Sequence, residues 1–227
     1  ANTATQEVAT DKFNFPVDVL STGAGKVAAD AAIRGTVTIS PSTQSFGVVK
    51  SLPVSQKFVV TNQGTAGVNL TLKLVNAIAT GAATVAIDQT SLNLAPKATG
   101  SFNLTVSGTL PSAGLYYGAI TIQGPSQTYR IPWMMLVGDT SVNNLIPLTG
   151  DVNDGTVNKV IPDGYVSFLL TDNHGVPVVG APVAFTSDAG VTLSNVSATT
   201  DAYGIAYATV TMGPTAGSYG VTGCAGD

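Results

Sequence analysis

The sequence predicts an all-β protein: two tandem antiparallel β-sandwiches preceded by a short N-terminal segment that carries one helix. Three observations point there. Charged residues are only 10% of the chain while hydrophobic ones reach 44%, so Thr, Ser, Asn and Gly supply the polarity, a mixture suited to half-buried strands and turns. The 25 Gly and 12 Pro are spread along the chain as turn signals. Between them lie short stretches of alternating apolar and polar residues, the two-residue period of a strand with one buried face. The 227 residues leave room for two domains of about 100 residues each.

Residues 1–20 show little periodicity; Phe13, Phe15, Val17, Val19 and Leu20 form an apolar extended piece that Pro16 interrupts. Ser21 to Arg34, STGAGKVAADAAIR, is the one short-helix pattern. In it Val27, Ala28, Ala31 and Ala32 share a face, and Asp30 stands four residues before Arg34. A helix this short is marginal by itself in water, so its small-residue face is expected either to dock or to stay more exposed than an apolar stripe should.

Residues 37–138 read as the first sandwich. Lys57–Asn62 runs into a Gln63-Gly64 turn, Val68–Leu74 alternates, and Ser91–Leu94 closes at Pro96. Gly100–Val106, Leu115–Ile122 and Tyr129–Leu136 follow. Pro132 lacks an N–H for a ladder, which predicts a sheet edge or a bulge for that last strand. Tyr116 and Tyr117 must point to opposite faces; with Trp133 one of them could stack on a sugar, but core packing is the expected role.

Residues 139–227 read as the second sandwich, with 139–159 a linker whose Leu145, Ile146 and Leu148 become its first strand. Asp151-Val152-Asn153-Asp154-Gly155 has the look of a calcium loop, but the twelfth position is Pro162 rather than Glu, so a β-turn is expected. Tyr165–Leu170 leads into Thr171-Asp172-Asn173-His174-Gly175, and Thr200-Asp201-Ala202-Tyr203-Gly204 repeats that spacing. Aspartate at the first turn position can accept backbone N–H groups, and Gly three residues later takes the positive φ of a bulged corner. Val176–Phe185, Ile205–Thr211 and Ala216–Thr222 supply further strands.

Three stretches resemble known families. Asn2-Thr3-Ala4-Thr5 and Gly23-Ala24-Gly25-Lys26-Val27 with Ala28, Ala29, Ala31 and Ala32 resemble the end of the catalytic domain of subtilisin-like serine peptidases. Lys26 and Ala28 depart from the apolar and Asn/Asp residues usual there. Ile39-Ser40-Pro41-Ser42-Thr43-Gln44-Ser45-Phe46-Gly47 is similar to the opening of the Fn3-like domain that follows in many of these peptidases, and the strand through Ile131-Pro132-Trp133 resembles the one that ends it. The pattern from Asp172 through Phe185, then Thr199 to Thr211, then Ala216 to Val221 resembles a bacterial Ig-like domain of the invasin/intimin type. The resemblance thus implies a peptidase remnant over 1–36, an Fn3-like sandwich over 37–138 and an Ig-like sandwich over 139–227.

Charge divides unevenly: up to Gly138 eight Lys or Arg face five Asp or Glu, a balance of +3, and thereafter Lys159 faces eight Asp, a balance of -7. There is no basic stripe for nucleic acid, and an acidic half is repelled by anionic lipid. No run approaches the ~20 apolar residues of a membrane span, and the polar start lacks the pattern of a signal peptide. Cys224 sits in a lipoprotein-like VTGC, but with no signal segment before it; it is expected to be a small buried residue. The sequons at Asn69, Asn103 and Asn195 are expected to be coincidental.

No catalytic, cofactor or metal residue is expected. A subtilisin-like site needs Ser, His and Asp in fixed contexts; the Gly-Thr-Ser motif is absent, and the sole histidine, His174, occupies a turn. One His and one Cys fifty positions apart cannot close a zinc shell. The resemblance therefore implies a non-catalytic accessory region of a secreted subtilisin-like protease, a spacer or interaction module, its partners the peptidase domain and a protein or cell-surface ligand. The alternative is an Ig-like adhesin or fibre subunit assembled by strand addition.

Overall fold

A computed structural model of the chain describes residues 2–5, 19–76, 80–149 and 154–225. Phe13, Phe15 and Val17, and the first three residues of the calcium-like loop, lie outside them. The fold is all-β and divides into two compact units, Ala1–Val137 and Gly138–Asp227.

The single helix expected over 21–34 is split into one turn, α1 (Val19–Thr22), and a short α2 (Ala29–Arg34). Gly23 and Gly25 explain the break, with φ of 56° and 104°, values that end a helix rather than continue it. Lys26 then pairs with Thr5, each N–H donating to the other's carbonyl at 2.9 Å. The Asp30–Arg34 ion pair forms at 2.7 Å on the exposed side. Ala28 and Ala31 are half-buried, but Val27 and Ile33 are 82% and 85% exposed.

The first sandwich sets a sheet of order β1-β3-β7-β5 against one of order β2-β9-β8-β4-β6. Its strands are β1 (Val37–Ser40), β2 (Gln44–Val48), β3 (Val54–Asn62), β4 (Val68–Asn76) and β5 (Ala83–Ile87), then β6 (Ser91–Leu94), β7 (Thr99–Gly108), β8 (Gly114–Gln123) and β9 (Thr128–Val137). Inward positions of both sheets meet in one core where Phe58 stacks on Phe102 at 5.2 Å, with Leu104, Ile120, Ile131, Trp133 and Met135 fully buried. Gly118 is required by close approach: a Cβ there would lie 2.4 Å from the Val75 carbonyl and 2.8 Å from Trp133 Nε1. Buried Asn62 ties the loops down, its Nδ2 donating to the carbonyls of Ala66 and Ala95 and its Oδ1 accepting from the Gly64 N–H.

Strand β9 corrects the edge expected from Pro132. It lies inside its sheet, antiparallel to β8 and parallel to β2. The pairing with β2 begins only at Trp133, opposite Gln44. Arg130 donates on that same side to the Asn2 carbonyl at 2.8 Å. Backbone direction alternates along a strand, so the nitrogen of Pro132 faces the interval between these partners, where no donor is needed.

The second unit pairs a sheet of order β10-β11-β14-β13 with a two-stranded sheet β12-β15. The strands are β10 (Asn144–Pro147), β11 (Val160–Thr171), β12 (Val183–Ser187), β13 (Val191–Ser194), β14 (Ile205–Met212) and β15 (Val221–Ala225). The run from Val176 becomes a strand only at Val183, because Pro177, Pro182 and the left-handed Gly180 (φ 75°) interrupt any ladder. The last strand likewise starts at Val221 rather than Ala216.

Candidate functional site

The second unit is organised by two aspartate corners of the same construction. Between β11 and the segment that follows it, Asp172 Oδ1 accepts from the N–H groups of His174 and Val176 at 2.8 and 2.9 Å, and the Gly175 N–H donates to the Asp172 carbonyl. At the start of β14, Asp201 Oδ1 accepts from Tyr203 and Ile205 at 2.8 and 2.9 Å, and the Gly204 N–H donates to the Asp201 carbonyl. Gly175 and Gly204 have φ of 78° and 74°, the left-handed conformation that side chains resist. The repeated Thr-Asp-x-x-Gly spacing is therefore one piece of turn chemistry used twice.

The corners differ in burial. Asp172 is fully buried and its Oδ2 accepts a third backbone N–H, from Asp139, at 3.0 Å. Burial pushes its carboxyl up, but the N–H groups of Val176, Asp139 and His174, with the His174 charge, outweigh it and hold the group below its ordinary value. Asp201 is exposed. Thr200 is buried beside it, donating to the Val178 carbonyl at 2.7 Å and accepting from the Ala181 N–H at 2.9 Å.

The aspartates of both corners act on the backbone. The side chain of His174 is exposed at the corner, with the residue's role there being its backbone N–H. Among the described residues no group of three or more His, Cys, Asp or Glu could hold a metal ion. Trp133 and Tyr116 are buried, with Tyr117 half-buried on the other face, so they form no sugar platform. Cys224 corrects the burial expected of it: it is exposed, because Val221, Gly223 and Ala225 take the inward positions of β15. No helix of the described residues is long and apolar enough to cross a membrane.

Two surfaces of this unit stand out, and periodicity alone did not signal either. A cavity of about 580 Å³ lies between its sheets, bounded by β10, β11, β13 and β14 on one side and by Phe185 of β12 with Val221 and Gly223 of β15 on the other. On the opposite face of the four-stranded sheet, Tyr165 and Tyr207 meet edge to face at 5.9 Å beside Leu148 and Ile205. Both tyrosines are about half exposed.

Residues 162–227 match the family model of the bacterial Ig-like domain (group 1), so this stretch of the second unit is a bacterial Ig-like domain. No curated protein matches the chain. Among solved structures the chain is similar to the secreted serine protease VesC from Vibrio cholerae, at 13% identity and a TM-score of 0.41, over 86% of this chain and 45% of that one. It is similar to the D0-D1 domain of intimin at 16% identity and a TM-score of 0.31, over 84% and 90% of the two chains. A PapD-like domain of human CEP192 matches at 15% identity and a TM-score of 0.34, over 47% and 87%.

Proposed function

We propose that this chain is the non-catalytic accessory region of a secreted, bacterial subtilisin-like serine peptidase, in which two sandwiches space the peptidase domain from a protein or cell-surface partner. The observation that carries the reading is how the peptidase-like motifs sit. The Asn2–Thr5 stretch and the Gly23–Val27 stretch are joined through Thr5 and Lys26. The first stretch and the α2 that follows the second are fastened to the first sandwich: the Asn2 side chain donates to the carbonyls of Ser42 and Arg130 at 2.9 Å each, and Gln127 donates to the Ala31 carbonyl. Yet Val27 and Ile33 stay in solvent. A junction that is anchored on one side and apolar on the other suits a domain resting against it. In this role the sandwiches do no chemistry; each is held by its own strands and tied corners, and exposed faces such as the Tyr165–Tyr207 patch make contacts.

Mass spectrometry of the protein from its source tests this. The reading expects upstream peptides contiguous with Ala1 that carry the Asp, His and Ser motifs of a subtilisin-like site. A reading frame that starts at or just before Ala1 would contradict it.

A further inference from the structure

Among the described residues the second unit has an open side, at the edge of its two-stranded sheet. Phe185 of β12 stacks on Phe168 of β11 at 5.1 Å, and Gly223 of β15 lies over the same ring, where a Cβ would come within 2.3 Å of it. Among the described residues no strand pairs with the other edge of β15. The cavity of about 580 Å³ lies between the sheets beside that edge, with Leu145 and Pro147 of β10, Val166 of β11, Met212 of β14, Phe185 of β12 and Val221 of β15 among its walls. Beside it, Val221–Ala225 make no backbone hydrogen bond outside their pairing with β12 among the described residues. An unpaired strand edge of this kind is a template for another strand.

Charge narrows the occupant. Lys159 is the one Lys or Arg from Asp139 onward, against eight Asp, and Asp154 lines the cavity. The second unit of another copy would set its own balance of -7 against this one, a repulsion that a basic partner turns into attraction. We propose that the free edge of β15 takes an extended strand from a protein partner, with apolar residues at alternate positions filling the cavity and Lys or Arg at its flanks. Main-chain bonds to β15 supply affinity and the side chains entering the cavity supply selectivity. The inference holds whether or not a peptidase domain precedes the chain.

The test uses the full chain and a synthetic peptide of about ten residues, alternating valine and threonine with a lysine at each end, followed by fluorescence anisotropy. Saturable binding that weakens with salt is expected. Proline placed at successive positions should weaken binding about tenfold or more at one parity and leave it nearly unchanged at the other, because only every second N–H of an added strand faces β15. Val166→Phe, which narrows the cavity, should weaken binding as well; thermal melting checks that it folds, and the proline series needs no variant protein. Absence of binding at millimolar peptide, or binding indifferent to proline parity, would overturn the proposal. So would sedimentation showing that copies of the chain pair through this edge and that the peptide separates them.

Discussion

The two sandwiches share strand patterning but are held together by different means. The first unit closes two sheets over one continuous core that fully buries Phe58, Phe102, Trp133 and Met135. In the second, the buried apolar set among the described residues is aliphatic and smaller, with Ile161, Leu170, Val176, Val178 and Val210 beside Ala181, Ala206 and Ala208, and Phe168 as its buried aromatic. There, buried polar groups do much of the holding: Asp172 and Thr200 gather the N–H groups of the corners. A side-chain core resists through burial and close packing, whereas a polar corner resists through hydrogen bonds that are costly to leave unmade. Among the described residues the second unit's β15 pairs along one edge, with β12, and leaves the other open.

The widest gap between the units should appear on truncating a core aromatic. Phe58→Ala is expected to cost about 3–5 kcal/mol in urea unfolding followed by the fluorescence of Trp133, the sole tryptophan, which is buried in the same unit. A cost under about 1 kcal/mol would mean that the first unit is no better packed than the second.

Next comes the buried corner. Asp172→Ala removes the acceptor of three backbone N–H groups and should cost the second unit about 2–4 kcal/mol, read by circular dichroism melting, with the Trp133 transition in place. Asp201→Ala, the same turn in solvent, should move that melt by clearly less than half as much. Equal shifts at the two corners would show that burial is not what separates them.

Acid should act on the same contrast. The carboxyl of Asp172 is held below its ordinary value in the fold, so its contribution is fully present above the unfolded value of about 3.9 and is lost as pH falls through the lower folded value. The second unit's melting temperature should therefore drop as pH is lowered from about 5, and Asp172→Asn should flatten that slope. Smallest of all is Val27→Ser: with Val27 in solvent, the melting of this chain should not move, whereas a chain joined to a peptidase domain should lose stability.

Much of this fold was legible because period-2 patterning and turn chemistry are local. Ser91–Leu94 is a strand as expected, and the repeated Thr-Asp-x-x-Gly stretches are both bulged corners. Strands β5 and β13 are not marked in the sequence by an apolar alternation closed by a proline, as Ser91–Leu94 is by Pro96. The helix split was hidden because an alanine-rich run scores as helix whatever Gly23 and Gly25 do before it. The place of Pro132 depends on partners far away in sequence, Asn2 and Gln44, which no local pattern states. Cys224 was misplaced by composition although the parity of β15 decides its face. The open side is least legible of all, since it comes from how many strands each sheet receives.

Hydrogen exchange across the whole chain tests the central claim, that a closed first sandwich is joined to an open second one. The account predicts that the amides of β3, β7 and β8 exchange only with global unfolding of their unit, and that those of β15 exchange orders of magnitude faster through local opening. Protection of β15 as strong as that of β7 would contradict it.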